Sequence, residues 1–236
     1  MKWHTLLDLI FPRICLGCGG MVSPDHSHIC WDCLASIEYV ASPYCSLCGD
    51  PVEGKVDNEF VCFNCSDTRI HFDRARSAAR YRGVIQDLLR EYKYRRAIWA
   101  ANDLLHILEA CVHAHYEPDE IDCVVFVPLY PRRRRERGFN QSALLAAGLA
   151  KALRRPLLPK CLKRVRATAT QTNLTARQRA TNVKGAFRAR QERRLKGQRV
   201  LLVDDVMTTG ATVNECARVL KEGGAEKVSV VTVARG

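Results

Sequence analysis

Apolar positions are spaced in two distinct ways along the chain, and the change comes near residue 70. Beyond it, periodic segments alternate. Residues 72–82 read as an extended segment, 83–94 as a helix with Val84, Leu88 and Leu89 inward, and 97–115 as a longer helix. The short apolar run at 122–127 fits a buried strand, and residues 128–138, rich in proline and arginine, read as a loop. Residues 139–153 have helical period, 157–165 hold a candidate edge strand, and 175–182 a candidate short helix. Residues 199–203 form a strand, 212–222 a helix closed by Gly223 and Gly224, and 227–234 a last strand. Strand, helix, strand at this spacing predicts an α/β fold built on a parallel sheet with helical crossovers.

Before residue 70 the pattern is set by cysteines. Trp3, Leu6, Leu7 and Ile10 follow i, i+3, i+4, i+7 and predict one short helical face, ending near Pro12, that packs the N-terminal module onto the body. Then come four Cys-x-x-Cys pairs: Cys15/Cys18, Cys30/Cys33, Cys45/Cys48 and Cys62/Cys65. In a reducing compartment such pairs ligate metal, because a two-residue spacer lets two thiolates converge on one ion and two knuckles complete a tetrahedral site. Two structural zinc ions are expected, since four thiolates leave no open position for substrate. Sequential pairing is preferred, with residues 39–44 separating two ribbons. Cross-braced pairing, a ligand role for His26 or His28, and an iron-sulfur cluster stay open from spacing alone. The predicted organisation is a double ribbon over residues 1–70 and an α/β domain over 71–236.

Charge sharpens this division. Residues 1–70 carry four Lys/Arg against nine Asp/Glu, a net −5, so the other 166 residues carry +17 within a chain total of +12. Residues 132–199 hold 21 Lys/Arg against Glu136 and Glu192. Such density calls for a polyanionic partner, either nucleic acid or a phosphorylated small molecule, unless it is a solvated arginine-rich face. Tyr92, Lys93, Tyr94, Arg95 and Arg96 set aromatics beside cations, as base stacking requires, although such tyrosines are more often half-buried helix residues. With 47% hydrophobic and 26% charged residues the chain is neither disordered nor fibrous. No apolar run approaches the roughly 18 residues of a membrane span. The first ten residues, cut by Asp8 and lacking a small-residue cleavage site, do not read as a secretory leader, so a cytoplasmic protein without membrane insertion is expected.

The chemistry converges on residues 200–212. Four apolar residues bury a strand, and the carboxyl end of such a strand is where open α/β sheets bind ligands. Asp204 and Asp205 can accept hydrogen bonds from vicinal sugar hydroxyls. Thr208, Thr209, Gly210, Ala211 and Thr212 are small and hydroxyl-rich and lead into a helix N-terminus, so backbone N–H groups can cradle a phosphate. A ribose phosphate is the ligand described. A plain turn with a threonine N-cap is the simpler alternative.

Those thirteen residues resemble, position by position, the phosphoribosyl pyrophosphate (PRPP) signature of type I phosphoribosyltransferases. The resemblance implies a parallel sheet with a hood over the site, ribose hydroxyls on Asp204 and Asp205, the 5′-phosphate on residues 208–212, and Mg²⁺ arriving with PRPP. Residues 127–141, with Arg164, Thr170, Gln171, Arg177, Arg179, Asn182, Val183, Ala186 and Phe187, are similar to the ComF/GntX group, whose double zinc ribbon the eight cysteines resemble. That similarity implies a cytoplasmic competence protein that handles imported single-stranded DNA or serves the use of DNA as a nutrient, with a DNA helicase as a family-level partner. Leu129, Tyr130, Pro131 and Arg132 are then the pyrophosphate loop. The basic, weakly patterned stretch 164–182 fits a mobile loop, with Arg164, Arg177 and Arg179 as candidate contacts. No residue is assigned a catalytic role. A catalytically active phosphoribosyltransferase with an unknown acceptor is the alternative; nothing in the sequence selects a base, and no glutaminase nucleophile precedes the site.

Overall fold

The computed structural model describes residues 13–22, 28–54, 56, 59–95, 97–168 and 175–236. The expected N-terminal helix, His26, Arg96, Thr170 and Gln171 lie outside the described residues, as does the side chain of Arg177.

A parallel four-stranded sheet forms the centre, in the order β1 (Arg74–Arg80), β6 (Lys227–Arg235), β5 (Arg199–Met207), β2 (Cys123–Phe126). Period-two alternation splits its side chains between two cores. Val124, Leu201, Val203, Val231 and Val233 join one, and Val125, Val200, Leu202, Val228 and Val230 the other. Both faces being covered, the strands read as continuous apolar runs. The first core is closed by α3 (Gly83–Tyr94), α4 (Ala101–His115) and α6 (Gln141–Ala152), which bring Leu88, Leu104, Leu108, Leu145 and Leu149 inward. The second is closed by α9 (Ala211–Glu222) through Val213, Cys216 and Leu220.

The helix at 83–94 matches the expectation, but Ile85 is buried in the place expected of Val84; Val84 is half-buried and packs instead toward the first knuckle, 3.2 Å from where a Cβ on Gly17 would sit. Residues 128–138 are not simply a loop. They contain α5 (Pro131–Arg137), which has no apolar face to betray it; Pro131 opens it at a position where no N–H is needed, and Gly138, at φ +87°, closes it. The candidate edge strand at 157–165 is split. Leu157 bridges Val124 in parallel, while β3 (Leu162–Arg164) leaves the main sheet and pairs antiparallel with β4 (Phe187–Ala189). The short helix expected at 175–182 is α7 (Ala176–Val183), fixed by a capping box between Thr175 and Gln178, so that end of the expected mobile loop is helical. A short α8 (Glu192–Leu195) follows β4.

The cysteine-rich segment does not stand apart. Residues 38–47 run along the free edge of β1, with Arg80 N–H donating to Glu38 O (2.8 Å), Val40 N–H to Ala78 O (2.9 Å) and Ala75 N–H to Leu47 O (2.7 Å). An edge that would otherwise offer unpaired N–H and C=O groups is thereby covered. Helices α1 (Trp31–Ala35) and α2 (Phe63–Asp67) each carry the second cysteine of a pair. Among the described residues no helix is long and apolar enough to cross a membrane.

Candidate functional site

β5 continues through both aspartates to Met207, placing them inside the strand's C-terminal end. Asp204 and Asp205 are 8% and 4% exposed. Ionised carboxylates at that depth need partners. Asp204 Oδ1 accepts from Ser142 Oγ (2.7 Å) and from the Asp205 N–H (3.0 Å). Ser142 is held in turn: Asn140, the N-cap of α6, accepts from its N–H (3.1 Å) and donates through Nδ2 to Val127 O (3.1 Å). Asp205 Oδ2 is ion-paired with the ammonium of Lys93 on α3.

Burial pushes the Asp204 carboxyl up to about 6, although Ser142 and the charges of Lys93, Arg164 and Arg137 work against it. Burial likewise brings the Lys93 ammonium down to about 8; Asp204 opposes that and Arg137 adds to it. Burial also lowers Arg137 and Arg164, yet a guanidinium stays charged. Arg137 is placed by Gln141 Oε1, which accepts from Nη1 (2.6 Å), and lies over the Tyr94 ring at 5.5 Å. Arg164 bonds Thr168 and covers the Phe187 ring at 5.4 Å, so it is no freely solvated arginine.

These groups surround a cavity of about 220 Å³ whose walls include Lys93, Arg137, Arg164, Asp204, Asp205 and Thr212. Leu129 lines it as well. Tyr130 and Arg132 line an adjoining cavity of about 250 Å³ that shares Arg133, Arg164 and Thr168 with the first. Pro131 faces a larger groove with Arg134 and Arg135. The phosphate-loop candidates are divided. Thr212 faces the carboxylates, whereas Thr209, Gly210 and Ala211 open on a second cavity of about 610 Å³ beside α2 and α7. Gly210 has φ +76°, the left-handed turn that starts α9 and that a side chain would strain. Arg179 lies half-buried on α7.

Sequence reasoning had Lys93 as a cation for base stacking and Arg137 only as part of the 127–141 segment, neither at the carboxylates, and it missed Ser142. Tyr92 is fully buried and donates to Gln141 O (2.9 Å), which leaves Lys93 pointing at the carboxylates; only Tyr94 of the pair is exposed. The Tyr-Lys-Tyr triplet is thus split between core and site.

Both sets of four cysteines converge sequentially: the sulfurs of Cys15, Cys18, Cys30 and Cys33 lie within 4.8 Å of one another, as do those of Cys45, Cys48, Cys62 and Cys65. Cys18 and Cys30 sulfurs are 3.7 Å apart, Cys48 and Cys62 3.6 Å. A tetrahedral ion with Zn–S near 2.3 Å sets sulfurs about 3.8 Å apart, so both clusters fit structural zinc. Backbone N–H groups of Cys30 and Cys62 approach the sulfurs of Cys15 and Cys45 at 3.3 Å, as stabilised thiolates require. His28 is committed elsewhere, bonding Asp103 on α4 through Nδ1 (3.1 Å) and lying tilted against the Trp99 ring, centroids 4.3 Å apart.

Residues 6–66 match the double zinc ribbon domain family, and residues 140–236 the phosphoribosyl transferase domain family. Competence protein F of Haemophilus influenzae is 31% identical, covering 94% of this chain and 96% of that protein. DNA utilization protein YhgH of Escherichia coli K12 is 34% identical, covering 96% and 99%. Competence protein ComFC of Bacillus subtilis is 28% identical, covering 91% and 87%.

Proposed function

The chain belongs to the ComF/GntX family of competence proteins, and on that premise we propose that its carboxylate cavity binds PRPP while its basic face holds single-stranded DNA. One observation carries the first half: at the C-terminal end of β5, two buried carboxylates, Thr212 and the cations Arg137 and Arg164 surround one cavity. The carboxylates accept from ribose hydroxyls, and the amides at the start of α9 take the 5′-phosphate. Arg133, Arg137 and Arg164 meet the pyrophosphate, next to the 129–132 segment. Mg²⁺ would supply charge neutralisation on the pyrophosphate, and the carboxylate oxygens of Asp204 and Asp205 are of the hard kind such a cation takes.

The DNA half is supported by Arg134 and Arg135, which line the larger groove beside the carboxylate cavity and not the cavity itself, and by the relatives named for competence and DNA utilisation. The transferase reading gains support from the half-buried Arg137 and Arg164, which stand where negative charge would develop on a departing pyrophosphate.

Ligand linkage tests the binding claim, since whatever binds the folded chain alone raises its melting temperature. PRPP with Mg²⁺ is expected to raise it and ribose to leave it unchanged. No shift with PRPP would remove the proposal.

A further inference from the structure

We propose that Arg235 is a positioning residue that couples the second four-cysteine cluster to the phosphate loop, an inference that rests on the reading of residues 208–212 given above. The last residues of β6 are apolar up to a guanidinium that is only 6% exposed. Such a group must be fully partnered to be tolerated there. Its partners come from two separate pieces of chain. Nε donates to Asp50 Oδ1 (2.8 Å) and Nη2 to Cys48 Sγ (3.8 Å), while Nη1 donates to the carbonyl of Thr208.

Both ribbon partners belong to one knuckle. Cys48 is a ligand position, and Asp50 O accepts from the N–H of Cys45, another ligand. Gly49 between them has φ +67°, and a Cβ there would lie 2.8 Å from Ala75 O, so the knuckle is pressed onto β1 without slack. Four thiolates around a divalent ion leave a net negative site, which favours a cation against Cys48. On the other side, Gly236 N–H donates to Met207 O (3.0 Å), tying the end of β6 to the last residue before the loop. A guanidinium is a rigid planar fork, so displacing its ribbon partners displaces its hold on Thr208. The Thr208 carbonyl belongs to the same peptide plane as the Thr209 N–H, the first donor inside the loop. Metal occupancy at residues 45–65 therefore sets the aim of the loop, and by linkage a phosphate ligand tightens the knuckle.

The test is peptide-resolved hydrogen exchange on zinc-loaded, full-length protein. In R235M, amides of residues 207–212 are expected to exchange about tenfold faster, the scale of one hydrogen bond to a charged group, with both zinc ions retained. R235K, which keeps the charge but not the fork, falls between. PRPP slows exchange of residues 45–50 in wild type and not in R235M. Wild-type protection of 207–212 in R235M, or equal slowing of 45–50 by PRPP in both, overturns the proposal. Should R235M not fold, R235K and D50N make the same comparison. If calorimetry detects no PRPP binding to wild type, the PRPP reading fails, while exchange in the ligand-free variants still decides the role of Arg235.

Discussion

The ammonium of Lys93 on α3 is paired with Asp205 on β5, their side chains 14% and 6% exposed, and this contact ties the helix to the carboxyl end of the strand. Removing one member of a buried pair leaves the other uncompensated, at a cost of about 3–5 kcal/mol. K93M is therefore expected to lower stability by that order in urea unfolding, and K93M/D205N to recover most of the loss. A double variant no more stable than K93M would show that the pair is not the source.

The second prediction concerns pH. Burial raises the Asp204 carboxyl from its usual value near 3.8 to about 6 in the folded protein, among Asp205, Lys93, Arg137, Arg164 and Ser142. Below the unfolded value both states are protonated and nothing is lost. As pH rises through about 6 the folded protein must ionise a buried group that the unfolded chain ionises readily, so stability falls. Two pKa units correspond to about 3 kcal/mol. The stability of wild type relative to D204N should thus decline by up to that amount between pH 4 and pH 7. Urea midpoints of the two proteins across this range check it, and a difference independent of pH would contradict it.

Metal content gives a third test. C45S should retain half the wild-type zinc, because the sites are separate sets of four thiolates. Cys45 is fully buried in the same core as Val200 and Leu202, whereas Cys18 is exposed. C45S should consequently lower the melting temperature more than C18S. Elemental analysis and thermal melts decide both points.

The arginines of α5 divide by direction, and this separates DNA from PRPP. Arg133 faces the carboxylate cavity; Arg134 and Arg135 face the larger groove. R134Q/R135Q should flatten the dependence of single-stranded DNA affinity on log salt by about 0.7 per lost contact, with PRPP binding unchanged. R133Q should weaken PRPP binding. Gel-shift titrations at several salt concentrations, beside calorimetry, report each effect.

Elements with apolar period were legible in the sequence: α3 matches its expected bounds, and β5 and β6 stand where the apolar runs predict. Helix α5 was not, since five arginines and a glutamate carry no inward face; its proline start and glycine stop were the available signal. The cysteine spacing identified the eight ligands, because geometry within a knuckle is local, and favoured sequential pairing over a cross-braced one; the structure brings the sequential sets together. Lys93, by contrast, reads locally as one cation among aromatics. Only the packing of α3 against β5 turns it toward Asp205, and the hold of Ser142 on Asp204 depends on contacts 62 residues apart. Arg235, at the end of the last strand, gave no local signal of its three distant partners.

Isothermal calorimetry of PRPP with Mg²⁺, on wild type and D204N/D205N, tests the central claim most directly. Each lost hydrogen bond to a charged carboxylate is worth about 1.5–3 kcal/mol, so the double variant should bind at least about tenfold more weakly, with wild-type binding weakened by chelating Mg²⁺. Equal affinity in the two proteins would contradict the assignment of Asp204 and Asp205 to the ribose.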